Sequence, residues 1–331
     1  MSLVVLVVGT GSIGMRHLQV LSEIEGIQPV AVPARAERVD ELSAQGYRAL
    51  SLEDALALQP TAAIVATDTG RHVHDAARLL RHGCHVLIEK PLAPTATGVA
   101  RLAEVAAANE RTIAVGCYLR FHPGLRRFKE LLGEIGAVHH VSVACQSYLP
   151  EWRSNVDHRY TYAARADEGG VLRDLVHEID YATWLFGRPQ RVSAMLTVGD
   201  SLGIASDAAA DLLWRVPSGA TVATRLDYLT RTRRRFIEAF GHEGEIAWDA
   251  VENTVTVKSS RGTTQVNHVG CERNSMMREQ FLALLACARG ETYDRRLTSF
   301  DEGAFAIALC DAARASSASG AMETIRDWRN G

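Results

Sequence analysis

The stretch Leu3-Val4-Val5-Leu6-Val7-Val8-Gly9-Thr10-Gly11-Ser12-Ile13-Gly14 decides the fold. Its first six residues are an unbroken run of leucine and valine, the pattern of a strand buried on both faces. The run passes directly into Gly-x-Gly-x-x-Gly, and a helical pattern follows to about Glu25. Strand, glycine loop and helix in that order predict the dinucleotide-binding turn of a parallel α/β sheet. Gly9 makes the tight turn, Gly11 lets the backbone approach a pyrophosphate, and Gly14 lets the helix lie close to the strand. The N–H groups at Ser12 and Ile13, at the positive end of the helix, then face the phosphates.

The alternation continues outward from this turn. A second strand is expected over Gln28–Val32, followed by Pro33-Ala34-Arg35-Ala36-Glu37-Arg38. Cofactors without a 2′-phosphate usually meet an acid at that strand tip, and none is present. Arg35 could instead grip a 2′-phosphate, so the choice between NAD and NADP leans to NADP. A strand over Thr61–Ala66 leads into Thr67-Asp68-Thr69-Gly70-Arg71-His72, and a helix over Val73–Arg81 stops before Gly83. The strand Val86–Ile88 delivers Glu89-Lys90-Pro91 at its carboxyl end, where open α/β sheets bind ligands. A helix over Thr97–Asn109 and a strand over Thr112–Val115 complete the domain, and the turn Gly116–Pro123 leads out of it.

At 331 residues the chain is long enough for two domains, divided here as 1–122 and 123–331. A net charge of −3 argues against a nucleic-acid partner. No apolar run has the length to cross a membrane, and the opening one is short for a secretion signal, so a cytoplasmic protein is expected. The six cysteines are scattered without a Cys-x-x-Cys pair, which predicts reduced, mostly buried thiols and no metal site.

In the second half, Gly169–Gly187 is read as one helix. Leu172, Leu175, Val176, Ile179, Thr183 and Phe186 form an apolar stripe, and Asp174, His177 and Asp180 gather on the opposite side. Carboxylates flanking an imidazole can orient it as an acid/base, although a solvated polar face would look the same. A strand is expected over Val138–Tyr148, then a long polar and aromatic loop, 149–168, with Trp152, Arg153, His158, Arg159, Tyr160 and Tyr162. That loop suits either a sugar pocket or a plain surface. Strands are predicted over Arg191–Val198, Asp211–Val216 and Ala220–Tyr228. The run Arg231–Arg235 reads as a solvated sheet edge. A pair of short strands follows, joined through Ser259-Ser260-Arg261-Gly262, and helices over Ser275–Arg289 and Phe300–Ala318 close the chain. The last helix is a candidate to pack back on the first domain.

Together these motifs resemble one family. Gly9-x-Gly11-x-x-Gly14, Ala66-Thr67-Asp68-Thr69-x-x-His72, Gly83-x-His85-Val86-Leu87-Ile88-Glu89-Lys90-Pro91 and Gly116-x-x-x-Arg120-Phe121 are similar in content and order to the Gfo/Idh/MocA oxidoreductases. The Gly169–Gly187 segment resembles the active-site helix of the family, and Arg273-Asn274 its C-terminal segment. The resemblance implies a Rossmann domain followed by an α/β domain with a mostly antiparallel open sheet, used to form homodimers or homotetramers. It implies hydride transfer between NAD(P) and a hydroxyl or carbonyl carbon of a sugar or polyol. Lys90 and His177 would be catalytic, with Asp174 and Asp180 holding substrate or orienting His177. Thr67, His72, Glu89 and Lys90 would lie on the cofactor side. Tyr118, Arg120, Trp152 and Arg159 would join Lys90, Asp174, His177 and Asp180 on the substrate. The family commonly places three residues between the aspartate and the histidine, whereas Asp174 and His177 are separated by two, which on a regular helix turns the aspartate by about 100°. Tyr148–Arg153, Asp157–Arg159 and the compact Asp174–Tyr181 segment look like a subgroup associated with surface polysaccharides and nucleotide sugars. The alternative is a non-catalytic sensor on the same fold.

Overall fold

The computed structural model describes residues 2–153, 155–260, 262–267, 272–291 and 293–330; Arg261, His268 and Cys271 lie outside the described residues. The chain divides into two units. The first comprises Met1–Tyr118, Glu272–Ala304 and Trp328–Gly331, and the second Leu119–Cys271 and Phe305–Asp327. The boundary thus falls before Leu119 rather than after His122. Of the last long helix, Phe300–Ser319, only the first residues group with the first unit.

In the first unit, strands β1 (Leu3–Val8), β2 (Ile27–Val32), β3 (Ala62–Val65), β4 (His85–Ile88) and β5 (Ile113–Val115) run parallel in the order β2-β1-β3-β4-β5. The short strand Thr298–Ser299 extends this sheet antiparallel to β5. Strand β1 lies between β2 and β3, and Val5, Leu6 and Val7 are fully buried, which explains its unbroken apolar run. Val8 pairs with Val32 and Val65, Val65 with Ile88, and Ile88 with Val115. Because the strands end in register, the glycine loop, Thr67, Glu89-Lys90 and Gly116 all emerge along one sheet edge. Helix α1 (Ser12–Ser22) follows β1 directly and ends short of the expected Glu25. A Cβ on Gly14 would sit 1.9 Å from the carbonyl oxygen of Gly9, so only glycine lets α1 approach β1 this closely.

The second unit carries a nine-stranded sheet. Its strands are β6 (Val138–Gln146), β7 (Arg191–Val198), β8 (Asp207–Arg215), β9 (Thr221–Asp227), β10 (Arg234–Gly241), β11 (Gly244–Asp249), β12 (Thr254–Ser259) and β13 (Gly262–Asn267), ordered β13-β12-β11-β10-β6-β9-β8-β7 and closed at the far edge by Glu323–Thr324. Among the described strands of this sheet, only β6 and β9 pair in parallel. Val141, Val143, Val192, Trp214, Val222, Ile237, Trp248 and Val257 bury one face, while Met195 and Leu213 stand exposed on the other. This alternation is that of a sheet covered on one side only.

Two expectations change here. The segment read as one helix is two, Val171–Asp174 and Val176–Phe186, interrupted at Leu175 with φ −99° and ψ 29°. Its polar side is buried, with Glu178 fully enclosed and His177 and Asp180 nearly so. The arginine run is also not a sheet edge throughout, because β10 lies between β11 and β6. Arg231, Arg233 and Arg234 are exposed, but Arg235 points to the covered face, where its Nε donates to Glu178 Oε1 at 2.6 Å.

A second buried pair fixes the same helix. Arg120 donates from Nε and a terminal nitrogen to the two oxygens of Asp180 at 2.9 and 2.7 Å, and both side chains are at most 2% exposed. These two residues, expected on the substrate, are paired with each other. Removing one partner of such a pair leaves a buried charge uncompensated. Arg120→Met should therefore lower unfolding stability by about 3–5 kcal/mol in urea titration. Gly14→Ala should cost at least about 2 kcal/mol, because the clash is with backbone. Gly11→Ala, where a Cβ would meet nothing within 4 Å, should cost less than about 1 kcal/mol.

Candidate active site

On the first unit, the glycine loop has the shape that a pyrophosphate requires. Gly9 adopts φ +95°, and a Cβ there would lie 2.5 Å from the backbone of Ala66. Gly11 borders open space, no side chain caps α1, and its first turn contains no acid. The N–H groups at Ser12 and Ile13 and the helix dipole are thus left for an anion. Arg35 is exposed in the turn between β2 and helix α2 (Glu37–Ala44). A dinucleotide fits this loop, since the one position where a side chain would block it has none.

Along the same edge, Thr67 donates its hydroxyl to Asp75 at 3.0 Å. His72 is 1% exposed, with Nδ1 2.9 Å from the carbonyl of Pro91 and Nε2 3.0 Å from that of Thr67. A neutral imidazole can donate to only one of these, and burial pulls its pKa below the ordinary value against the influence of both carbonyls. His72, expected on the cofactor side, is engaged within the chain. Both of its nitrogens face the chain, and the ring ties the loop after β3 to the cis Lys90–Pro91 peptide.

Glu89, also expected on the cofactor side, is likewise engaged within the chain. Its carboxylate is buried, with Oε1 2.7 Å from His17 Nε2 and Oε2 accepting the Lys90 backbone N–H at 3.2 Å. Burial alone would raise its pKa, but the His17 hydrogen bond and the charges of His17, Lys90 and Arg273 hold it below the usual carboxylate value. Lys90 itself is half-buried at the strand tip. Tyr118, expected on the substrate, is 8% exposed with the Arg273 guanidinium 5.0 Å above its ring.

In the second unit, His177 lies in the first turn of the helix Val176–Phe186. The preceding short helix is set by Gly170, at φ +90°, and by Asp207 on β8, which accepts the Leu172 N–H at 3.0 Å. Asp174, at its end, accepts from the Tyr228 hydroxyl at 3.0 Å. Tyr228 in turn meets Trp152 edge to face at 5.3 Å, and the Trp152 indole N–H donates to the Ser147 hydroxyl at 2.9 Å. Two of the predicted residues, Asp174 and Trp152, are thereby joined through a tyrosine.

Arg159 stands apart from these, exposed and bound through two nitrogens to Asp157, whose pKa it pushes down to about 2. It lines an open cleft of about 730 Å³ with Tyr148, Arg153, His158 and Leu202. On the far side of the His177 helix, Glu178 receives Arg235. The adjacent Cys145 thiol is pushed up to about 12, chiefly by burial. Cys84 and Cys310 are likewise raised to about 12, and all five described cysteines are free.

His17, Arg235 and Tyr228 were not singled out from the sequence, though each left a signal. His17 interrupts the buried stripe of α1 formed with Leu18 and Leu21. Arg235 has the same strand parity as the buried Ile237 and Ala239, and Tyr228 the same parity as Leu226.

No described helix is long and apolar enough to cross a membrane. Residues 3–117 match the oxidoreductase family model with an NAD-binding Rossmann fold, and residues 126–247 match the GFO/IDH/MocA C-terminal domain. The chain is 32% identical over 200 residues to inositol 2-dehydrogenase of Burkholderia vietnamiensis, covering 56% of this chain and 55% of that protein. It is 28% identical over 195 residues to scyllo-inositol 2-dehydrogenase (NADP(+)) IolU of Bacillus subtilis, covering 57% of this chain and 60% of that protein. The match thus spans little more than half the length of these curated relatives. The structure of levoglucosan dehydrogenase in complex with NADH and levoglucosan superposes with a TM-score of 0.85 at 19% identity, covering 98% of this chain and all of the other, a likeness of fold. With its two halves matched in order by the two models, the chain belongs to the Gfo/Idh/MocA family of oxidoreductases.

Proposed function

We propose that this chain is an NAD(P)-dependent oxidoreductase that moves hydride between nicotinamide and a hydroxyl or carbonyl carbon of a sugar or polyol. The observation that carries this reading is the open, uncapped start of α1 on the same sheet edge as Lys90. The N–H groups at Ser12 and Ile13 bind the pyrophosphate, and Gly11 keeps the approach clear. The bound dinucleotide supplies the hydride acceptor or donor. Lys90 holds the reacting oxygen electrostatically, and His177 takes or returns its proton. Asp174, held by Tyr228, supports the orientation of His177 and the substrate beside it. Thr67 lies near the nicotinamide side. The cleft of about 730 Å³ has the size of a small-ligand pocket, and its Arg153 and Arg159 suit a derivatised sugar.

Arg35 beside β2, with no acid at the strand tip, favours NADP, the cofactor named for the Bacillus subtilis relative. The exposed Met195 and Leu213 on the open sheet face fit a second copy of this chain, in a homodimer or homotetramer. The free thiols of the described cysteines suit a reducing cytoplasm.

A panel of inositols, levoglucosan, aldoses and nucleotide sugars, followed at the reduced-nicotinamide absorbance band, tests the reading. His177→Ala should lower kcat at least about 100-fold, while dinucleotide affinity stays within about twofold. Full activity of that variant would overturn the assignment, and dinucleotide binding without turnover of any panel member would favour a sensor. Arg35→Ala should weaken NADPH binding about tenfold and leave NADH binding unchanged; equal effects on both would remove the preference for NADP.

A further inference from the structure

His17 lies three residues beyond Gly14, one turn into α1, and is 1% exposed. Its Nε2 reaches Glu89 Oε1 at 2.7 Å, and the other oxygen of Glu89 accepts the backbone N–H of Lys90. Gly116 walls in the carboxylate from the end of β5, where a Cβ would lie 3.2 Å from the carboxyl carbon. Arg16, the neighbour of His17, donates to Asn274 at 3.0 Å, and Arg273 contributes positive charge toward Glu89. One short contact therefore joins the helix whose start faces the glycine loop to the peptide that carries Lys90.

We propose that His17 is a positioning residue for Lys90: by holding Glu89, it fixes the Lys90 backbone relative to the start of α1, so that Lys90 meets a dinucleotide bound there. The proposal rests on reading the glycine loop as a dinucleotide site. Its physical basis is the cost of a buried carboxylate. Glu89 keeps its charge inside the unit because His17 donates to it. Without that donor it would take up a proton or turn away, releasing the N–H of Lys90.

The test compares His17→Gln with His17→Asn. Gln carries an N–H to the former position of Nε2, whereas Asn is one methylene too short. Affinity for NADH and NADPH is measured by nicotinamide fluorescence in both variants, in Lys90→Ala and in the His17→Asn/Lys90→Ala double variant, each checked by thermal melting. His17→Gln should bind within about twofold of the parent and His17→Asn about tenfold more weakly. In the Lys90→Ala background, His17→Asn should change affinity by less than about twofold, because the two residues act as one unit. Additive losses, or a His17→Gln protein as weak as His17→Asn, would overturn the proposal and leave His17 a packing residue. If His17→Asn does not fold, Glu89→Gln takes its place in the same cycle. A parent protein that binds neither dinucleotide would sink the reading of the loop itself, and this proposal with it.

Discussion

The close approach of α1 to the end of β1 is the constraint on which the first unit depends. Gly14 lies so near the Gly9 carbonyl, and Gly9 so near the backbone of Ala66, that helix, loop and two strand ends form one incompressible contact. This contact directs the start of α1 to the sheet edge where the parallel strands terminate together. It also sets the depth at which the next turn of the helix enters the core, and hence where His17 meets Glu89. The phosphate-binding geometry and the placement of Lys90 are thus consequences of the same packing.

A second theme is the use of enclosed charge. Glu89 with His17, Asp180 with Arg120 and Glu178 with Arg235 are pairs in which the carboxylate is buried. Such pairs add little net stability compared with apolar residues of the same shape, because each ion loses its hydration. What they impose is position, since an apolar contact tolerates sliding and a directional charged contact does not, least of all the two-pronged one between Arg120 and Asp180. The His177 helix carries two of these pairs within three residues, at Glu178 and Asp180, and its orientation in the second unit is correspondingly constrained.

The architecture was legible where it followed from periodicity. Leu3–Val8 and Arg191–Val198 were located to the residue, and most other elements within a few positions, because buried parallel strands and half-covered antiparallel ones leave different patterns. The glycine roles were also legible, as each follows from local backbone geometry. The partners of polar side chains were not. Whether His72 or Glu89 faces a ligand or the chain depends on which loops come together at the sheet edge, and single-element periodicity carries none of that information. The same holds for Arg120 and Asp180, 60 residues apart in the chain. Arg235 was misread for a related reason: a run of arginines suggests an edge, and only the strand order puts β10 inside the sheet.

The interruption at Leu175 changes the meaning of the short spacing between Asp174 and His177. On one continuous helix the missing residue would rotate the aspartate away from the histidine by about 100°. The chain instead ends one helix at Asp174 and begins another at Val176, with Leu175 between them at φ −99° and ψ 29°. Asp174 is then placed by Tyr228 and by Asp207, which fixes the start of its short helix, whereas His177 is placed by the anchors of the helix that follows. Because the two residues belong to separately fixed elements, the spacing rule of a regular helix does not apply to them. The break between them is held from outside the segment, by the Tyr228 hydroxyl on Asp174 and by Asp207 on the Leu172 N–H.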